Sequence, residues 1–395
     1  MLSSSLVSSF KEIPTPFYYY DMDLLSVTLD AMVESASRYG IHTHYAIKAN
    51  CEEKILREVS RRGVGADCVS GNEVLWAVKC GFHPEKIIFS GVGKSDREII
   101  QAMDSHIGAF NCESTEEMEV ISEIAATRRQ DVDITVRINP DIDAHTHRYI
   151  TTGLEENKFG LSARLFDKAI YVIKHNPYLH FKGLHFHVGS QIMDVKGVFS
   201  LLVERAVGII KYFEDRGLEV VNIDYGGGLG IDYETPSINP IPDFESFFST
   251  MATLPHRENQ ILHAEPGRSV VAQCGALISR VLYVKAGLQR TFLILDAGMT
   301  DLIRPALYGA YHSIENLSAY GRGYSTAAED YDLQTYDVVG PICESSDVWG
   351  QGRQLPLSRR GDIVAILSAG AYGSVMASRY NMRDLPGAVF SDELR

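Results

Sequence analysis

The chain has 395 residues, 45% hydrophobic and 22% charged, enough for two domains or for one large barrel with an appendage. A net charge of -14 with no offsetting basic block argues against a nucleic-acid partner, and no segment is apolar for long enough to span a membrane. The six cysteines (Cys51, Cys68, Cys80, Cys112, Cys274 and Cys343) form no Cys-x-x-Cys pair, so neither a metal centre nor a disulfide framework is expected. With residues 1–10 lacking a secretory pattern, the thiols read as reduced ones in a cytoplasmic protein.

Residues 14–20 are an aromatic, β-like run, and 21–39 carry apolar residues at helical spacing. A strand-then-helix alternation follows: 43–49 with 52–62, then 64–69 with 71–80, where Ser70 reads as an N-cap and Glu73 stands three residues on. Segments 86–90 with 95–105, 109–112 with 116–129, and 133–138 with 166–175 continue it, the last pair interrupted by an unusually long loop over 139–161. Strand 181–187 precedes helix 199–216, strand 220–225 precedes helix 244–253, and 261–264 is the last strand of the series.

About eight such units close a parallel (β/α)8 TIM barrel. An open doubly wound sheet would place Gly-x-Gly-x-x-Gly after the first strand, and here that strand ends in Lys48. Near 269–275 the pattern changes to β-type segments at 276–285, 290–296, 336–339 and 362–367, separated by Gly, Pro and Asp turns. The expected organisation is therefore a barrel over 21–272 and an all-β C-terminal domain over 273–395, with 1–20 adding a strand to the β domain.

Functional residues of such a barrel come from the C-terminal ends of its strands. Lys48 follows the first strand in an apolar run with no partner charge beside it, which makes it a Schiff-base candidate. His187 follows the sixth, Gly226, Gly227 and Gly228 the seventh, and Glu265, Pro266, Gly267 and Arg268 the eighth. Singly, each has a plain structural explanation: a packed histidine, a tight turn, a local ion pair. Together they set a phosphate-binding turn beside a reactive lysine, the combination that takes pyridoxal 5'-phosphate. Glu265 would face the ring nitrogen and His187 would offer a flat surface. Arg268 and Arg304 present forks for a substrate carboxylate, with Tyr308 adding a hydrogen bond. Glu344 would answer an ammonium, and the neighbouring Cys343 thiol is a proton donor.

These residues lie in Tyr45-Ala-Ile-Lys-Ala-Asn50, His185-Phe-His-Val-Gly-Ser-Gln191, Gly226-Gly-Gly-Leu-Gly230, Glu265-Pro-Gly-Arg268, Arg304-Pro-Ala-Leu-Tyr308, Cys343-Glu-Ser345 and Ala369-Gly-Ala-Tyr372. With Asp143-Ala-His-Thr-His147 leading to Asn157-Lys-Phe-Gly160, they resemble the diaminopimelate decarboxylase family of fold-type III pyridoxal phosphate enzymes over nearly the whole chain. The resemblance implies an alanine-racemase-type barrel with a C-terminal β domain. It also implies that Lys48 carries the cofactor, that Ser190 and Tyr372 join Gly228 and the 265–268 turn in holding it, and that Cys343 donates the proton. Arg268, Arg304, Tyr308, Glu344 and Tyr372 would contact substrate.

The implied reaction converts meso-2,6-diaminopimelate to L-lysine and carbon dioxide, the last step of lysine biosynthesis, in a homodimer with shared active sites. Two departures from the family pattern stand out: Ser346 where glycine is usual, which alters backbone freedom beside Cys343, and Cys68 and Asn72 in place of valine and glycine. The rival enzyme reading is a decarboxylase of another diamine acid, namely carboxynorspermidine, ornithine or lysine. A rival of a different class is a non-catalytic pyridoxal phosphate-binding homologue, which should lack the second domain or the thiol. An amino-acid racemase fits less well, because Glu265 favours a protonated ring nitrogen.

Overall fold

The computed structural model describes residues 4–142, 158–322 and 333–394. Two compact units emerge, one formed by 28–230 with 242–269, the other by 1–27, 231–241 and 270–395. The chain opens with α1 (Ser4–Glu12), β1 (Phe17–Tyr20) and α2 (Met22–Arg38). The helix α1 has no counterpart among the expected elements.

The first unit is a closed parallel barrel of β2 (Ile41–Ala46), β3 (Gly65–Cys68), β4 (Ile87–Phe89), β5 (Ala109–Cys112), β6 (Val132–Ile138), β7 (Leu179–Phe186), β8 (Asn222–Asp224) and β9 (Ile261–Ala264). Closure comes from the pairing of β2 with β9, Ile41 opposite Leu262 and Thr43 opposite Ala264. Between the strands run α3 (Glu53–Ser60), α4 (Gly71–Lys79), α5 (Asp96–Asp104), α6 (Thr115–Arg128), α7 (Phe166–His175), α8 (Val195–Glu214) and α9 (Phe244–Met251). This is the expected fold class.

Serine caps fix where three of these helices begin. Ser70 Oγ accepts from Glu73 N at 3.2 Å, while Glu73 reaches back to Val69 N at 2.7 Å. Ser95 and Glu98 form a full capping box, and Ser114 accepts from Glu117 N at 3.1 Å. The starts of α4, α5 and α6 were therefore written in the sequence. The start of α8 was read four residues late, because it rests on Asp194, whose carboxylate accepts from Gly197 N at 2.9 Å.

The second unit adds α10 (Arg268–Val271), β10 (Gly275–Ala286), β11 (Thr291–Leu295), α11 (Arg304–Tyr308), β12 (Ile314–Asn316), α12 (Leu317–Tyr320), β13 (Leu333–Val339), β14 (Val348–Pro356), β15 (Ile363–Ile366) and β16 (Gly387–Phe390). Its sheet runs β12-β15-β10-β11-β13-β14. As expected, the aromatic N-terminal run joins it: β1 pairs antiparallel with β10 and parallel with β16. Alternation along β1 sends Phe17 and Tyr19 into the core with Phe10, Ile278 and Ile363, while Tyr18 turns the other way and donates to Asp301 O at 2.6 Å. The excursion 231–241 clusters with this unit, and Gln273 Nε2 donates to Asn239 O at 3.2 Å.

Candidate active site

The ends of β2, β3, β7, β8 and β9 converge on one rim of the barrel. β2 stops at Ala46, and Lys48 stands on the short 3-10 turn Ile47–Ala49 that follows. Its Nζ donates to Asp67 Oδ2 at 2.9 Å; the Lys48 side chain is 37% exposed and that of Asp67 fully buried. The expectation of a lysine with no partner charge is thus corrected. Asp67 lies on the neighbouring strand β3 and reaches Lys48 across the sheet, a proximity that a reading along one strand does not show.

Glu265, at the end of β9, is buried and receives donors on both oxygens, His185 Nε2 at 3.1 Å and Asn111 Nδ2 at 3.4 Å. Asn111 is itself held by Ser90 Oγ at 2.9 Å and by Thr135 Oγ1, which donates to its Oδ1. Burial alone would push the Glu265 carboxyl up, but His185 above all, followed by Lys48, holds it far below the usual carboxylate range. The barrel therefore keeps an ionised carboxylate in an interior that would otherwise neutralise it.

His187 is driven well below its ordinary value by burial first, then by the charges of Arg137 and Lys48. Gly227 N–H donates to its Nδ1 at 3.3 Å, so the ring is a neutral imidazole with its proton on Nε2. Arg137 is fixed by a buried ion pair with Glu113 at 2.8 Å, and the other Glu113 oxygen accepts from Gly160 N at 2.9 Å. That contact anchors the described end of the long loop at Lys158-Phe-Gly160; the 143–157 part of the family pattern lies outside the described residues.

The turn after β8 needs its glycines. Gly226 and Gly228 sit at φ +69° and +115°, and a Cβ on Gly227 would stand 2.2 Å from Glu265 O. Glu265 N donates to Gly226 O at 2.8 Å and Ala46 N to Pro266 O at 3.2 Å, lacing the turns after β2, β8 and β9 together. Gly267 packs where a Cβ would press on Ala46 and Ala49. Arg268, buried, donates to Ser190 Oγ at 2.9 Å through Nη2 and at 3.3 Å through Nε.

The remaining expected residues belong to the other unit. Arg304 is buried at the start of α11, donates to His312 Nε2 at 3.3 Å and lies over the Tyr233 and Tyr308 rings. His312 is aligned by Leu367 O at 2.9 Å. Cys343 and Glu344 are exposed on a turn built on Asp347, whose carboxylate accepts from Met299 N and Ile342 N, each at 2.7 Å. Ser346 lies outside the left-handed region, so the glycine it replaces was not needed for its backbone freedom; its Oγ donates to Glu344 at 3.1 Å. Tyr372 is held at φ +56°, an uncommon conformation for a non-glycine residue and one that recurs at ligand clamps.

Sequence reasoning gave no role to Asp67, His185, Asn111 or Asp224. The available signal was strand parity: Asp67 and Gly65, or His185 and Gly183, alternate toward the barrel interior.

A family model described as the pyridoxal binding domain of pyridoxal-dependent decarboxylases matches residues 28–272. The chain is 50% identical over 390 residues to diaminopimelate decarboxylase from Bacteroides thetaiotaomicron, covering 98% of each chain. It is 37% identical over 369 residues to that of Aquifex aeolicus, covering 93% of this chain and 84% of the relative. Among solved structures, diaminopimelate decarboxylase from Helicobacter pylori complexed with L-lysine superposes with a TM-score of 0.87 at 38% identity, covering 97% of this chain and 93% of that one. The class is that of the pyridoxal-dependent decarboxylases, and within it this chain belongs to the diaminopimelate decarboxylase family.

The rim suits pyridoxal phosphate on three counts. It offers a primary amine at Lys48, bare glycine backbone that a side chain would obstruct, and one ionised carboxylate in a buried interior.

Proposed function

We propose that this chain decarboxylates meso-2,6-diaminopimelate to L-lysine and carbon dioxide. The observation that carries the reading is the convergence of Lys48, neutral His187, the glycine turn and ionised Glu265 on one barrel rim, in a chain so similar along its length to diaminopimelate decarboxylases. When bound, pyridoxal phosphate supplies the electron-accepting ring into which the carbon–carboxylate bond can break. Lys48 is the residue that binds it covalently, and Asp67 holds the amine at the rim. Glu265 offers its charge to a protonated ring nitrogen, and His187 presents an uncharged face. Gly226, Gly227, Gly228, Pro266, Gly267, Arg268, Ser190 and Tyr372 are the residues that would hold the cofactor.

Arg304, aligned by His312 and helped by Arg268, Tyr308 and Tyr372, receives the distal carboxylate; Glu344 receives the distal ammonium. That pairing favours diaminopimelate over ornithine or lysine, which have no distal carboxylate. Cys343 Sγ–H gives its proton to the carbon that lost carbon dioxide, and solvent restores the thiol. Because Cys343 and Glu344 are exposed on the β unit, we assign them to the site of a second copy, making the enzyme a homodimer with shared sites. The six cysteines are unpaired, which suits a cytoplasmic enzyme.

A turnover panel tests the substrate: lysine should form from meso-diaminopimelate and not from L,L-diaminopimelate, and ornithine and lysine should release no carbon dioxide. Equal use of ornithine would move the chain to the rival decarboxylase reading. Sharing is tested by mixing Lys48→Ala with Cys343→Ala, each inactive alone, under subunit exchange. Restored activity supports a shared site, and none, with exchange verified by tag pull-down, places the thiol elsewhere.

A further inference from the structure

Beneath the rim, a ring nitrogen of His185 and carboxylate oxygens of Asp224 and Glu265 lie within 4.8 Å of one another, all three residues buried. Two carboxylates at that spacing in a buried interior cannot both ionise. The donors decide which one does. Glu265 has His185 on one oxygen and Asn111 on the other, whereas Asp224 has Gly226 N on Oδ1 at 2.8 Å and no nitrogen donor on its buried Oδ2, which faces Glu265.

We propose that Asp224 is a positioning residue held as the neutral acid, so that the pair carries one negative charge and all of it rests on Glu265. Burial and the Glu265 charge both push the Asp224 carboxyl well above its usual range, in the same sense.

The arrangement gives Asp224 two tasks. Its Oδ1 fixes Gly226 N, and with it the left-handed turn whose next residue bonds His187. Its neutrality leaves the Glu265 charge undiluted for a cationic ring nitrogen. One side chain thereby ties the glycine turn to Glu265, the two places where the cofactor would be held. The inference rests on the proposed cofactor site for its role, but the protonation state stands on the barrel interior alone.

The test separates acceptor from charge. Asp224→Asn keeps an oxygen for Gly226 N and no charge; Asp224→Ala removes both. Infrared difference spectra at neutral pH should show a protonated carboxyl C=O band in the unsubstituted protein that is lost in Asp224→Asn. Cofactor affinity, titrated by absorbance, should stay within about threefold in Asp224→Asn and fall at least about tenfold further in Asp224→Ala. No band lost on substitution, or an asparagine variant as impaired as the alanine one, overturns the proposal. If Asp224→Asn does not fold, the same band followed in the unsubstituted protein should persist from about pH 6 to 8, and its absence there is equally decisive. Neither readout depends on which amino acid is turned over, so a failed substrate panel and a failed Asp224 proposal are distinguishable.

Discussion

Replacing Gly227 by alanine should disable cofactor binding by a predictable amount. The added Cβ would stand 2.2 Å from Glu265 O and 3.1 Å from its carbonyl carbon, both backbone atoms just past the end of β9. Ordinary carbon–oxygen contact lies near 3.3 Å, so the turn must move by about 1 Å. Overpacking of this kind costs about 1–3 kcal/mol. The same movement strains two hydrogen bonds, Glu265 N to Gly226 O at 2.8 Å and Gly227 N to His187 Nδ1 at 3.3 Å, each contributing about 0.5–1.5 kcal/mol. A total of about 2–6 kcal/mol, falling on the bound state, corresponds to roughly 30- to 20,000-fold weaker pyridoxal phosphate binding. Titration of the apoenzyme, followed by absorbance, measures it. Gly208, inside α8 with nothing within 4 Å of a built Cβ among the described residues, is the control: alanine there should add up to about 1 kcal/mol of stability and leave cofactor binding unchanged. Binding by Gly227→Ala within threefold of the parent would refute the reasoning.

Lys48→Ala should abolish the borohydride-trappable link to the cofactor; a link mapped to Lys54 or Lys158 in the parent protein would remove Lys48 from its role. Arg304→Ala should lower kcat/KM for diaminopimelate by about 2–5 kcal/mol, as the loss of a buried charged contact does, with cofactor absorbance unchanged; undiminished turnover removes Arg304 from the substrate site. His263 is held well below the ordinary 6.5 by burial, so its stabilising contribution is full above pH 6.5 and is lost as the pH falls. The stability of the parent relative to His263→Asn should therefore drop by up to about 1.4 kcal/mol per pH unit below that point, and parallel urea curves at pH 7.5 and 5.5 would contradict the assignment.

The barrel was legible because short strand-like segments alternate regularly with helical ones, and because serine caps such as Ser70 and Ser95 announce the helices that follow. The edge of the β unit was harder to read. β14 (Val348–Pro356) carries Gly, Gln and Arg in place of an apolar alternation, and β16 (Gly387–Phe390) is defined only by its pairing with β1. At the rim, residues bearing a distinctive motif were placed at the strand ends where they lie, and those that act through a neighbour were not singled out. Asp67 pairs with Lys48 across two strands, and His185, Asn111 and Asp224 owe their importance to a shared interior that no single segment displays. Ser346 was over-read, since the family pattern shows where glycine is usual but not whether the backbone there requires it.

The central claim is that a carboxylate leaves and a proton replaces it on the same carbon. Turnover of meso-diaminopimelate in deuterated water tests this directly. It should give one carbon dioxide for each L-lysine, with a single deuterium on the carbon that lost its carboxylate. Deuterium accumulating in unreacted diaminopimelate with no carbon dioxide released would mark a racemase-like chemistry and contradict the account.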